Sequence, residues 1–600
     1  LAIFEKLQFG TTLRNRTFRT LGVEFEDTAS IPVTEEELAP GKLANWLKKN
    51  AAYQEGRDAV AEALAVDIEG EALGLLNAEN IGLRLDLAAL DAKDEQVLRT
   101  WLADRGAPKW FHDSKQSFHA LRQQGFALDG VEHDTSVAAY LVRPDLRSWS
   151  LGDVLQRHAG RDLPENSGSL ERAQAVRELV GIMNQELTEA GQAELYFSVE
   201  VPLTHVLAEM EARGIEVDKA ALEELAADYE AQIAEEVTAA RELAEDDQLN
   251  LSSPKQLQKV LFEDFGLPKT KKTKTGYSTA AAELEKLQQQ TEHPFLNHLM
   301  AHREYQKMKS TIDGLINAID GDGRIRTTFN QKGAATGRLS SSEPNLQNIP
   351  VRTESGRKIR SAFRVGEGYE TLLTADYSQI EMRVMAHLSE DAGLIEAYRA
   401  GEDLHNYVGS RVFDVPVDEV TPELRRRVKA LSYGLVYGLS AFGLSQQLGI
   451  SPGEAKGIME NYFDRFGGVK RYLDKVVEAA KETGYTETLY GRRRYLPELA
   501  SSNRVARENA ERAALNAPIQ GTAADIIKLA MLRVDRALRN ANLKSRVLLQ
   551  VHDELVLEIA PGELEQIQQL LEENMDSAAS LRVPLDVSAG HGENWDLAGH

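Results

Sequence analysis

"LLQVHDELVLEI" (Leu548–Ile559) places two apolar, β-prone runs around a polar centre of His552, Asp553 and Glu554. Leu548–Val551 and Leu555–Ile559 have the length and composition of paired strands, so the segment predicts a hairpin with a polar tip. Acidic residues are common at turns, and that plain reading satisfies the stretch taken alone. A tip that offers carboxylates to a metal ion requires a second acidic site elsewhere in the chain.

"TLLTADYSQIEMRVMAHL" (371–388) supplies one. An apolar strand, Leu372–Ala375, runs into Asp376, and a helix is predicted from near Ser378, a favourable N-cap type. A carboxylate at a strand end beside an acidic hairpin tip suits two divalent ions. Magnesium takes one or two carboxylates plus phosphate oxygens. Two such ions about 3.5–4 Å apart can hold both oxygens of an in-line phosphoryl displacement. Alone, Asp376 would pass as an ordinary helix-start acid. In "ELRRRVKALSYGLVYGLS" (423–440), Arg425, Lys429 and Tyr433 recur every four residues and share one helix face. Two cations followed by an aromatic ring match a nucleoside triphosphate, although a basic amphipathic helix would look similar. The repeated Tyr-Gly pairs need a further reason, because glycine inside a helix costs about 1 kcal/mol.

Six hundred residues exceed one core, so several domains are expected. The 42% apolar and 27% charged fractions are those of a soluble globular chain. No apolar run is long enough to span a bilayer, and no signal-peptide pattern is present. The opening "LAIFEKLQFG", without methionine, reads as a fragment or processed product. The absence of cysteine excludes disulfides and thiolate metal sites, and a cytoplasmic location is the expectation. A net charge of −25 speaks at first sight against nucleic acid, yet binding follows local patches. Acid gathers in "EELAADYEAQIAEEVTAARELAEDD". Between Gln331 and Arg364, by contrast, Lys332, Arg338, Arg352, Arg357, Lys358, Arg360 and Arg364 oppose only Glu343 and Glu354. "RRRVK" (425–429) and "GRRR" (491–494) are further basic clusters, so a polyanion could lie in a basic groove.

Before about residue 190, "ALGLLN", "NIGLRLDL" and "PKWFHD" read as strands of an α/β domain, and "LPENSGSL" (163–170) as a polar loop. From Tyr196 the pattern is helical. Ser253 before Pro254 marks a helix start. "PKTKKTKTGYST" is a basic loop, either a phosphate-gripping tip or a solvated turn. Strands and turns return over 327–382, helices dominate 391–480, and one more helix and a strand close the chain.

"DYSQIEMR", "RRRVKALSYGLVYG" and "VHDE" resemble, in order and spacing, the three polymerase motifs of family A DNA polymerases. "TGRLSSSEPNLQNIPVRTESGRKIRSAF" and "NAPIQGTAADIIKLAM" are similar to that family as well. The resemblance covers nearly the whole chain and is most specific from about 327 to 560. It implies an α/β plus α+β fold: an RNase H-like 3′-5′ exonuclease-type domain over 1–190, then a right-hand polymerase domain over 191–600. The thumb would span about 206–326, the palm about 327–381 and 506–600, and the fingers about 382–505. The implied activity is template-directed DNA synthesis in replication and repair gap filling. The implied partners are primer-template DNA and deoxynucleoside triphosphates, with two Mg2+ ions for which Mn2+ can substitute. The expected enzyme is a monomer of the bacterial cytoplasm, associated with the nucleoid and not with a membrane.

By the family pattern, Asp376 and Asp553 bind metal and Glu554 is an accessory acid. Arg425 and Lys429 hold the triphosphate, and Lys429 can also protonate departing pyrophosphate. His405 and Arg352 are further contacts to phosphate or primer. Gln379 and Glu381 approach the incoming sugar, where Glu381 matches the steric gate against a 2′-hydroxyl. Position 433 is Phe or Tyr among relatives, and Tyr433 goes with ready acceptance of dideoxynucleotides. Arg338, Arg512, Asn516, Gln520, Tyr437 and His552 match DNA contacts. Donors in the minor groove can test pairing without reading sequence, because N3 and O2 acceptors occur whatever the base pair. Taken alone, "NAPIQGTAADIIKLAM" would be a helix with a polar N-terminal face.

The first domain departs from the pattern. Asp67-Ile68-Glu69 has the spacing of the first exonuclease motif. "FHDSKQSFHAL" has Ser117 where the second motif carries aspartate, and no aspartate falls in 170–192 for the third. The expectation is a retained fold without proofreading, with Asp67 and Glu69 in a turn. "FEKLQFGTTLRNRTF" looks like the join that follows the family's 5′ nuclease domain, an activity not expected here. A single-subunit RNA polymerase shares related motifs, but Glu381 and "TGRLSSSEPNLQNIP" argue for DNA synthesis. A non-catalytic DNA-binding protein is opposed by intact Asp376, Asp553, Arg425 and Lys429.

Overall fold

A computed structural model of the protein describes residues 31–56 and 60–599, together with Thr17. The segment "FEKLQFGTTLRNRTF" lies outside the described residues, apart from Thr17.

The N-terminal part is built on a six-stranded mixed sheet. Leu64–Glu69, Ala72–Leu76 and Ile81–Asp86 form an antiparallel meander. Thr34–Glu36 runs parallel to its outer strand, and Lys109–Phe111 and Val131–Asp134 extend the other side in parallel. Side chains alternate across the pleat. Leu64 and Val66 enter a core with Leu43 and Trp101. Ala65 points to the opposite core, with Ala173 and Val176 of the helix Ser169–Glu189. Burial on both faces explains the near-continuous apolar strands. Asp67 and Glu69 are therefore strand residues, and the turn falls just after them at Gly70-Glu71, contrary to the sequence reading.

The chain leaves this domain through one helical run. Ala193–Leu195 leads into a π-helical segment, Tyr196–Glu200, and then into the α-helix Val201–Arg213. The core on that side of the sheet continues without a break into the residues that follow, so the two parts pack as one body. Two long helices, Lys219–Ala244 and Pro294–Asn317, then lie against each other. The first buries only Leu222, Tyr229 and Ala240, a narrow stripe with charge elsewhere. Their far end has its own core around Leu249, Leu261 and Phe295. There the basic "PKTKKTKTGYST" forms a small hairpin, Lys272–Thr273 with Gly276–Tyr277, with its lysines exposed.

A four-stranded antiparallel sheet follows, in the order Arg546–Val551, Glu554–Ile559, Thr371–Tyr377, Val587–Gly592. The 37-residue helix Arg504–Asn540 packs against the sheet's first strand. The helical bundle over 380–483 includes Ile380–Ser389, Leu404–Phe413 and Pro422–Val436. No helix among the described residues is long and apolar enough to cross a membrane.

Candidate active site

Strand Thr371–Tyr377 is buried at every position except Asp376, which is half-exposed. Antiparallel register sets Asp376 opposite Glu554. One step further, His552 and Asp553 form a two-residue turn between the paired strands. His552 takes φ +55, a left-handed conformation unusual for a non-glycine residue, and so tightens the turn that presents Asp553. Burial pushes the Asp553 carboxyl up to about 6, and the charges of Glu381 and Asp376 push in the same direction against Arg338. Two acidic side chains thus act on Asp553, and one of them, Glu381, is itself paired with Arg338. Glu554 accepts from the Trp595 indole at 2.9 Å.

The helix after Asp376 begins differently from the sequence reading. Gln379, not Ser378, is the N-cap residue, with φ +53 and no side-chain cap. That left-handed step turns the chain sharply out of the strand and leaves the Gln379 amide 3.5 Å from both His405 Nε2 and the Tyr398 hydroxyl. Glu381, in the first turn, is buried. It accepts from the Arg338 guanidinium and from the Tyr437 hydroxyl at 3.2 Å. With its amide oriented to satisfy both groups, Gln520 accepts from Arg338 at 2.7 Å and donates to Thr336 at 3.2 Å. A cleft of about 300 Å³ opens between these groups, lined by Arg338, Gln379, Glu381, Tyr433, His552 and Asp553 among others.

Above it lies helix Pro422–Val436, capped by Thr421. Val428, Leu431 and Leu435 are buried, and Arg425, Lys429 and Tyr433 stay half-exposed on another face. Arg425 meets Asp403 at 3.1 Å. His405 is buried, with its ring 6.0 Å from that of Tyr433. Burial lowers its pKa to about 4, and the charges of Arg425 and Lys429 act in the same sense, so the imidazole is neutral at pH 7. Its Nδ1 is buried without a partner, a polar atom aimed at no protein group. Arg352 is exposed, and its charge reaches Tyr433. The two Tyr-Gly pairs have separate causes. A Cβ on Gly434 would stand 2.5 Å from Leu439, so the helix needs a bare backbone there. Gly438 has φ +71 and ends the helix with the chain turning back.

The sequence profile of DNA polymerase family A matches residues 219–597, and the profile of the DNA polymerase I ribonuclease H-like domain matches 75–167. The chain belongs to DNA polymerase family A. It is similar to DNA polymerase I of Mycobacterium tuberculosis (strain ATCC 25618 / H37Rv), at 51% identity over all of this chain and 69% of that protein. DNA polymerase I of Bacillus subtilis (strain 168) is 42% identical over 84% of this chain and 59% of its own length. The solved POL domain of Pol1 from M. smegmatis, in complex with DNA primer-template and dNTP, superposes with a TM-score of 0.88. It is 55% identical, covering 94% of this chain and all of that one. This family A member is a DNA-directed DNA polymerase with an RNase H-like exonuclease-type domain and a polymerase domain, and enzymes of the family work with divalent metal ions.

Asp67, marked from sequence in the first domain of the polymerase, sits on a strand beside a cation. Asp67 Oδ1 is 3.3 Å from Arg172 Nε, on the helix that the sequence reading found empty of aspartate. Burial pushes its carboxyl up to about 6 despite that arginine, and Oδ2 is buried without a partner. Ser117 is buried in the helix Ser114–Gln123.

Of the residues marked from sequence, Arg338, Gln379, Glu381, Tyr433, Tyr437, His552 and Asp553 come together around the cleft. His405 stands beside it through Gln379, and Arg425 is near enough for its charge to act on His405. Arg512 lies off to one side, packed on Gly438 and bonded to Asn509 at 3.1 Å. Asn516 keeps a buried, unpartnered Oδ1. The motifs missed Lys528, which lines the cleft, and the charge cluster behind it. Glu200 accepts from Lys528 at 2.8 Å and from Arg492, and Arg492 Nε donates to Asp525 at 2.7 Å. A signal was present: Arg512, Asn516, Gln520, Ala524 and Lys528 recur every four residues.

Proposed function

We propose that this polymerase extends a primer 3′-hydroxyl on a DNA template by two-metal phosphoryl transfer, in replication and repair gap filling. The observation that carries this reading is the register placing Asp376 opposite Glu554 and next to the Asp553 tip. The charges of Glu381 and Asp376 act on Asp553 there, and Tyr433, on the same helix face as Arg425 and Lys429, lines the adjoining cleft. An all-oxygen carboxylate set fits hard dications. Two Mg2+ ions held by Asp376 and Asp553 would activate the primer hydroxyl and neutralise charge on the triphosphate.

The chain's own groups do the rest. Arg425 and Lys429 grip the triphosphate, and Lys429 donates a proton to the departing pyrophosphate. Neutral His405, with Gln379 and Arg352, offers hydrogen bonds to the phosphates and sugar. Glu381 is locked by Arg338 and Tyr437, and a fixed side chain there rejects a 2′-hydroxyl. Arg338, Gln520, Asn516 and Arg512 contact the nascent duplex, with Tyr437 and His552 beside it. The thumb corresponds to the long helix pair, the fingers to the bundle with Pro422–Val436, and the palm to the four-stranded sheet. Closing of the fingers over the nucleotide completes the site.

Extension of a labelled primer with Mg2+ and the four deoxynucleotides tests the reading. Full-length product is expected, and no growth from a folded, DNA-bound protein would overturn it. Proofreading is proposed to be absent, because Asp67 faces Arg172 where a second acid would be needed and Ser117 offers no carboxylate. A primer with a mismatched 3′ end, incubated with Mg2+ and no nucleotides, should keep its length. Stepwise shortening would contradict this. Tyr433 should favour dideoxynucleotide acceptance through its hydroxyl. Tyr433→Phe is expected to raise discrimination against dideoxynucleotides by about three- to tenfold, the scale of one hydrogen bond, read as the ratio of termination to extension. Equal discrimination would sink the idea.

A further inference from the structure

The run from Phe329 to Gly337 leads directly into Arg338, and the exonuclease-type domain and the helix Val201–Arg213 hold it at several points. Glu211 accepts from the Phe329 N–H at 2.8 Å, and Lys115, ion-paired with Glu211, donates to the Phe329 carbonyl. Lys332 donates to Ser136 Oγ at 2.9 Å and lies 3.8 Å from Asp113. The Tyr140 hydroxyl donates to the Ala334 carbonyl. Lys115, Asp113, Ser136 and Tyr140 all belong to the ribonuclease H-like domain. On the opposite side, Gln331 donates to Glu200 at 2.7 Å. The Arg492 guanidinium lies so close to Gly337 that a Cβ there would stand 2.4 Å from its Nε. A nine-residue run is thus clamped by its main chain and side chains, and its next residue bonds Glu381 and Gln520 in the cleft.

We propose that the exonuclease-type domain acts as a positioning clamp for Arg338, and through it sets the enzyme's sensitivity to a mispaired primer terminus. The proposal rests on reading Arg338 as a contact to the nascent duplex. Such contacts discriminate only while the guanidinium is held in place, since a donor that can drift also satisfies a distorted pair. The plain alternative is that these bonds merely hold two domains together. They would then affect stability and leave discrimination unchanged.

The double variant Y140F/K332M removes two of the clamp's bonds and touches no group in the cleft. Extension rates from matched and mismatched termini, with kcat and KM for the next nucleotide, are measured beside melting curves. The ratio of matched to mismatched extension should fall about three- to tenfold, since small misplacements of positioning groups have effects up to that size and beyond. Matched kcat should fall with little change in KM. Y140F alone should move the ratio less, in the same direction. In an R338A background the double substitution should leave the ratio unchanged. An unchanged ratio in Y140F/K332M, or an equal fall without Arg338, overturns the clamp. If R338A alone leaves the ratio unchanged, the reading of Arg338 fails and the clamp fails with it. If R338A lowers the ratio and the clamp variants do not, only the clamp fails.

Discussion

Replacing Asp553 by Asn is expected to slow primer extension by about three to four orders of magnitude, the rate equivalent of the several kcal/mol that metal-borne charge supplies at a transition state. The substitution keeps size and hydrogen-bonding capacity, so the two-residue turn with His552 at φ +55 should survive. What it removes is the charge of the carboxylate on which both Glu381 and Asp376 act. An amide binds hard dications poorly, and the site would hold less of the charge that draws them. Asp376→Asn should act alike, because Asp376 and Asp553 occupy a strand end and the hairpin tip of the same sheet. Glu554→Gln should cost less, since the Trp595 indole can still bond the amide oxygen. Primer-template affinity should change little, as the basic run 331–364 is untouched. Single-turnover rates and gel-shift titrations read the two quantities separately. Extension within tenfold of the unaltered enzyme would remove Asp553 from the chemistry.

The parts of this site that were legible in sequence are those set by short-range periodicity. Two short apolar runs around His552 and Asp553 give a hairpin, and the four-residue spacing of Arg425, Lys429 and Tyr433 gives a face. The family motifs then join pieces that lie far apart in the chain. Details governed by tertiary contact were not legible. Ser378 has the chemistry of an N-cap, but the turn out of the strand puts Gln379 at that position in a left-handed conformation. Asp67 and Glu69 look like turn residues, yet the sheet carries the strand through Glu69. The buried charges were hardest. Glu200 sits in "YFSVE", an unremarkable helical stretch, and its cationic partners lie 292 and 328 residues away. No local pattern encodes such a pairing. Arg492 stands in the basic run "GRRR" and Lys528 follows Arg512 at four-residue spacing, but neither pattern names the partner.

That charge cluster predicts the largest effect on stability. Glu200 and Asp525 are fully buried, and Arg492 and Lys528 are 3% and 1% exposed. Two anions and two cations cancel, so the cluster is tolerable only while complete. Arg492→Met would leave two buried carboxylates facing one lysine and should destabilise the polymerase domain by about 3–5 kcal/mol, the scale for breaking a buried pair. Arg492→Lys keeps the charge but not the fork that reaches Asp525 and Glu200 together, so it should fall between. Glu200→Gln added to Arg492→Met should recover part of the loss, because it removes the stranded charge, and the non-additivity measures the pairing. The pH dependence gives an independent check. Burial alone would raise the Glu200 carboxyl, but the charges of Lys528 and Arg492 outweigh it and hold it at about 2. A carboxyl depressed on folding stabilises above its ordinary range, and that contribution fades as pH falls from there toward 2. Arg492→Met removes one of the two cations that depress it. The variant's deficit should therefore be widest near neutrality and narrow as the solution is acidified, in urea titrations followed by far-UV ellipticity. A constant deficit across that range would mean that Arg492 stabilises through packing on Gly337 and not through its charge.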